Sequence, residues 1–276
     1  PAVLDDADGG VLARLRAAYA EPVKPELVRD RIKAVRAGGV VSCGAVTPQR
    51  TVDLADILVA AELDLLVIHG TVVSAEHVTR DPEPLNLKTF VRRLDIPVIV
   101  GGATSYQTAL HLMRTGAAGV LVGSAAASDA DTDRVLGVGL PQATAIADAR
   151  AARMRHLDET GVYCQVIAAG PMQTGGDIAK AVALGADGVL LGPPLAASDT
   201  PGRGTWWPQT AAHPHLARGG IHGWTGAGPD LATVLVGPAV DGHGRTNLMG
   251  ALRASMAMCG YQSLKELQKA EVVLTR

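Results

Sequence analysis

The stretch LVGSAAASDADTDRVLGVGLPQATAI, residues 121–146, gathers hydroxyls and carboxylates at close spacing: Ser128, Asp129, Asp131, Thr132 and Asp133. A hydroxyl becomes a nucleophile only when a neighbouring base takes its proton, and an aspartate can be that base or can hold a cation. The D-x-D-x-D spacing of Asp129, Asp131 and Asp133 matches the start of a calcium loop. Such a loop continues with glycine and ends on a bidentate glutamate, whereas Arg134 and Leu140 stand at those positions. A solvated acidic loop is therefore expected. His69 is a different kind of candidate, because it closes the apolar run DLLVI. At the end of a buried strand, an imidazole can exchange a proton near neutral pH or can be held as a neutral hydrogen-bonding group.

Other groups carry weaker chemistry. His213-Pro214-His215 and His222 offer imidazoles to zinc, but the proline splays the pair and no carboxylate or cysteine stands nearby, so no metal site is expected. Trp206 and Trp207 could cover a flat ligand or anchor their own segment. Thr174, before Gly175-Gly176-Asp177, is placed to cap a helix whose start could serve an anion or the helix alone. Cys43, Cys164 and Cys259 are odd in number and lack C-x-x-C spacing, so buried thiols are expected rather than disulfides or a zinc site.

The elements that must position these residues are legible as short β-branched runs separated by helical stretches. They are GVVSCGAV (39–46), DLLVIHG (64–70), IPVIVGG (96–102), AAGVLVG (117–123), VYCQVIAAG (162–170) and ADGVLLG (186–192). Continuous apolar runs suit strands covered on both faces, and their alternation with helices predicts a parallel sheet. GAAGVLVGS at 116–124 returns as GADGVLLGP at 185–193, and each copy follows a helix that stops at glycine. This repetition favours a (β/α)8 TIM barrel over an open doubly wound sheet. A closed barrel needs eight strands, so six runs behind a helical N-terminal stretch predict an N-terminally incomplete barrel. The strand-terminal glycines Gly102, Gly170 and Gly192, with Trp206 and Trp207, are the ligand-binding candidates.

A single domain is expected over 1–276. Within it, 199–245 should be a flap-like excursion, holding ten glycines, five prolines and all three tryptophans without periodicity. A net charge of -2, with scattered Lys and Arg, gives no footprint for nucleic acid. No apolar run approaches the roughly 20 residues of a membrane span, and PAVLDDADGG lacks the features of a signal peptide, so a cytoplasmic location is expected.

Four stretches resemble the IMP dehydrogenase and GMP reductase family of (β/α)8 barrels. They are DRVLGVGLPQATAI, VIAAGPMQTGGDIAKAVALGADGVLLGPPLA, MGALRASMAMCGYQSLKELQ, and the pair LDLLVIHG and IPVIVGG. VSAEHVTRDPEPLNLKTF, TALHLMRTGAAGVLVG and HPHLARG are most similar to an IMP-dehydrogenase-related branch whose members lack the usual catalytic loop. The likeness runs from about residue 25 onward and leaves the family's first strand, first helix and second strand without a counterpart. It implies a homotetramer, a purine nucleotide substrate and NAD(P).

The resemblance also implies a catalytic cysteine in a G-S-x-C-T-T-R loop. Laid on this chain, that loop keeps Ser128 and Thr132 and puts Ala130 in place of the cysteine, and no cysteine lies anywhere between residues 44 and 163. The family's ribose- and phosphate-binding A-D-G-G reads Ala168-Ala169-Gly170-Pro171, and its phosphate-binding Gly-Ser turn reads Gly192-Pro193-Pro194. On the cofactor side, His69 stands where an aspartate is expected and Ala103 where an asparagine is expected.

Three functional readings follow. One is a non-catalytic, ligand-binding or assembling family member. The second is an enzyme repurposed for a less anionic substrate, with His69, Ser128, Asp129, Asp131 and Thr132 at its mouth. The third is NAD(P)-dependent purine nucleotide oxidoreduction by an unconventional route. No cofactor is expected unless the family activity persists, and a small molecule at the barrel mouth is the expected partner.

Overall fold

The computed structural model describes residues 17, 20–70, 73, 85–123, 139–199, 205, 206, 222, 223 and 228–273. Each of the six apolar runs forms a strand: β1 Cys43–Val46, β2 Leu65–His69, β3 Val98–Ala103, β4 Gly119–Val122, β5 Gln165–Ala168 and β6 Gly188–Val189. Helices intervene: α1 Pro25–Ala37 precedes β1, then come α2 Thr51–Ala60, α3 Leu87–Arg93, α4 Tyr106–Met113, α5 Gln142–Thr160 and α6 Gly175–Ala183.

Every strand pairs in parallel with the next, giving the order β1-β2-β3-β4-β5-β6. A doubly wound sheet would reverse direction partway across, so the unbroken sequential order is that of a barrel wall. The six strands form an arc of a TIM barrel, with β1 and β6 at its edges among the described residues. Leu66, Ile68, Val98, Val100, Val120, Val122 and Val166 are fully buried along the wall. The central strands β2, β3 and β4 are buried or half-buried on both faces, while β1 and β5 each begin with an exposed residue, so the central runs read as continuous rather than alternating.

Beyond β6, α7 (Pro193–Ala196), a two-stranded antiparallel ribbon of β7 (Thr205–Trp206) and β8 (His222–Gly223), α8 (Leu231–Val236), α9 (Leu248–Met258) and α10 (Leu264–Leu267) complete the described chain. Two expectations change here. The segment 199–245 is not wholly aperiodic: Asp230 accepts from the Thr233 N–H and starts α8, whose Val234 packs with Ile178, Val182, Leu248 and Leu252 in a second apolar cluster. The run LATVLV is too short to show helical periodicity in sequence. The thiols are also not uniformly buried, since Cys164 is enclosed while Cys43 and Cys259 are exposed. Cys43 opens the edge strand β1, and Cys259 lies just past the end of α9, so neither is covered by the wall.

The N-terminal ends of the last strands are tied by one carboxylate. Asp187 accepts from Arg153 at 2.6 Å, Lys265 at 2.6 Å, Tyr163 at 2.8 Å, the Val166 N–H at 2.9 Å and Gln268 at 3.2 Å. These donors come from α5, α10, Tyr163 just before β5, β5 itself, and the residue after α10. The hub therefore joins the C-terminal helix to the barrel floor. Burial raises the Asp187 pKa, but hydrogen bonds led by Lys265 outweigh it and hold the carboxyl below its ordinary range.

Candidate functional site

The C-terminal ends of barrel strands are where this architecture presents chemistry, because the strand-to-helix loops converge there. The fold brings His69, Gly102, Gly170 and Gly192 to that rim. His69 is the last residue of β2, in register with Gly101 of β3, and only 6% exposed. Its Nε2 is buried and has no hydrogen-bond partner among the described residues. Burial pushes its pKa down to about 4, so the ring is neutral near pH 7. Such a group is available as an acceptor or donor for a ligand, and it is not a charged anchor.

Gly102 is tied into the wall. Its N–H donates to the Gly70 carbonyl at 2.9 Å and its carbonyl accepts from Val73 at 3.1 Å. Gly101, just before it, faces the Leu121 backbone where a Cβ would collide, so this glycine lets β3 and β4 meet closely. Ala103 is fully buried and has no side-chain group for hydrogen bonding.

Between β4 and β5, a residue that sequence reasoning did not single out shapes the rim. Gln142, the first residue of α5, donates from Nε2 to the Val122 carbonyl at 2.8 Å, while its Oε1 is buried without a partner among the described residues. A Cβ on Gly123 would fall on the Ala169 carbonyl, and one on Gly170 would meet Gln142 Oε1 at 2.7 Å. Gly123 also has φ +127°, which an L side chain rarely adopts. The two glycines therefore make room for the glutamine amide across the strand ends. The sequence signal was glycine at both strand ends with Pro-Gln heading the intervening helix.

Past β5, Thr174 caps α6 as expected: its hydroxyl accepts from the Asp177 N–H at 3.1 Å, and the Asp177 carboxylate accepts from the Thr174 N–H at 3.1 Å. This reciprocal box occupies the helix start, and Lys180 pairs with Asp177 at 2.9 Å. An acidic residue at that position repels an anion. Past β6, Gly192 leads into α7, whose first two residues are Pro193 and Pro194, both buried. The Gly192 carbonyl accepts from Leu195 and Ala196. Trp206 contributes its backbone to the β7–β8 ribbon opposite His222. Ser128, Asp129, Ala130, Asp131, Thr132, Trp207, His213 and His215 lie outside the described residues. Among the described residues no cluster of His, Cys, Asp or Glu could hold a metal ion, and no helix is long and apolar enough to cross a membrane.

With this rim in view, a family model for the IMP dehydrogenase / GMP reductase domain matches residues 14–211. The chain belongs to this family. An uncharacterized oxidoreductase of Mycolicibacterium smegmatis is 52% identical over 259 residues, covering 92% of this chain and 69% of its own length. Inosine-5'-monophosphate dehydrogenase of Escherichia coli is 32% identical over 268 residues, covering 91% of this chain and 52% of its own. The crystal structure of an IMP dehydrogenase/GMP reductase-like protein from Corynebacterium glutamicum superposes with a TM-score of 0.86 at 43% identity, covering 98% of this chain and 71% of that one. Within the family, the chain thus keeps the frame of the barrel mouth, while its rim positions carry His69, Ala103, Ala169, Pro171 and Pro193.

Proposed function

We propose that this family member has left purine nucleotide oxidoreduction and acts as a non-catalytic barrel that binds a small molecule at its mouth, within a homo-oligomer. The observation that carries the reading is the turn after β6. Pro193 and Pro194 occupy the first two positions of α7, and neither has an N–H to give a phosphate. Pro171 removes a second such donor after β5. Charge-assisted bonds contribute about 1.5–3 kcal/mol each, so two lost donors weaken phosphate binding by several kcal/mol. Ala169 offers no carboxylate to ribose hydroxyls, and Ala130 offers no thiolate to the purine.

The cofactor side agrees. A neutral, buried His69 and a fully buried Ala103 supply neither the carboxylate nor the amide that the resemblance assigns to the nicotinamide side, so these residues do not fit NAD(P). Calorimetric titration with IMP, GMP and NADPH tests the proposal. No saturable binding at micromolar concentration is the expected outcome, and tight binding of IMP or GMP refutes it.

A second reading, an enzyme repurposed for a less anionic substrate, draws on the unpartnered Nε2 of His69. A metabolite that copurifies and is converted by the wild-type chain but not by His69→Gln favours it over the first.

A further inference from the structure

Behind the proline turn, between the β5–α6 loop, α7 and α8, lies a cavity of about 200 Å³. Pro193 and Pro194 line it from α7 and Ala197 from just after it, and Pro229 and Val234 line it from just before and within α8. The three prolines contribute ring carbons and no N–H. Four polar residues also line the cavity: Gln173, Thr246, Asp241 and Arg245, the last two of opposite charge. Thr246 is 6% exposed and its oxygen accepts from the Val240 N–H at 3.2 Å, which leaves its O–H free to donate alongside one further lone pair.

We infer that this cavity is a binding site for a small uncharged amphipathic molecule, with a compact apolar body against the prolines and one carbonyl-type edge against Thr246 and Gln173. The size matches, since a cavity of about 150 Å³ holds benzene and this one takes a ring with a small polar substituent. The apolar walls supply the driving force, and the two polar side chains set the orientation. An anion is disfavoured on two counts: the three prolines have no N–H to offer it, and the charges of Asp241 and Arg245 cancel. The inference rests on the reading of Pro193 as a lost phosphate donor, and extends it by naming what the rebuilt turn accepts instead.

Cyclopentanecarboxamide is a suitable probe, titrated by calorimetry into the full chain with inorganic phosphate and IMP run in parallel. The expected result is saturable one-to-one binding of the carboxamide and none of phosphate. Affinity should fall at least tenfold in Val234→Trp, which fills the cavity, and several-fold in Thr246→Val, which removes the hydroxyl at constant shape. Arg114→Ala, at the C-terminal end of α4 and outside the cavity lining, should leave it unchanged. Thermal unfolding confirms that each variant is folded, and Ala197→Leu replaces Val234→Trp if the latter is not. Absence of carboxamide binding overturns the inference, as does binding that survives the filled cavity, or phosphate competing for the site. Tight IMP binding with carboxamide binding intact would overturn the proposed loss of nucleotide binding alone, so the two failures are distinguishable.

Discussion

At the N-terminal ends of β5 and β6, Asp187 accepts from five separate donors, whereas at the C-terminal rim His69 Nε2 and Gln142 Oε1 are buried with no partner among the described residues. The floor has its own imperfection, since Arg153 Nε is also unmatched, but the Arg153 guanidinium lies over the Tyr163 ring at 4.9 Å. Fully satisfied polar networks rigidify, and unsatisfied buried groups cost stability that a bound partner can recover. The contrast separates a face that holds the barrel together from a face that leaves hydrogen-bonding capacity open.

The sharpest way to break the contrast is to remove the floor's hub. Asp187→Ala leaves Arg153 buried with its charge uncompensated and should cost about 3–5 kcal/mol, read as a lower urea midpoint. An effect under 1 kcal/mol would mean that the floor is no firmer than the mouth.

The mouth's counterpart is a pH dependence. The folded pKa of His69, about 4, lies below its ordinary value of 6.5. Above pH 6.5 the ring is neutral in both states and costs nothing. As the pH falls from 6.5 to about 4, the unfolded chain binds a proton that the folded chain refuses, so stability should drop by about 3 kcal/mol and then level off. Urea unfolding of His69→Leu across that window should lack this component. An identical pH profile in the variant would place the titration elsewhere.

Smaller effects calibrate each face. Thr174→Ala removes half of the capping box at the mouth end of α6 and should cost about 1 kcal/mol in thermal or urea unfolding. Arg114 and Glu159 pair at 2.7 Å near the floor ends of α4 and α5, with the arginine side chain 46% exposed. Arg114→Ala should therefore change stability by less than about 1 kcal/mol, and less still at high salt.

The strands were the legible part of this chain. Valine- and isoleucine-rich runs such as VIVGG and GVLVG can only be buried on both faces, and the sequential arc follows from their alternation with helices. Thr174 was legible because a capping box is local. His69 was legible as a position at a strand end, but its missing partner was not, since burial depends on what β1 and β3 place around it. Gln142 was hidden because a polar residue at a helix start looks solvent-exposed until two glycines are seen to clear a path for it. Asp187 had a signal in the internal repeat: GADG differs from GAAG at just that residue, with Ala118 in the earlier copy. Its five donors are scattered from residue 153 to 268, and no periodicity links them.

The long-range bond within that hub also orders events during synthesis. Lys265 is made 78 residues after Asp187. At about 5–20 residues per second, this leaves a lag of roughly 4–16 s in which β6 has emerged but its carboxylate lacks the lysine and glutamine that close the hub. Through that interval the growing barrel wall ends in a half-wired strand, held open until the lysine and glutamine that clasp it are made.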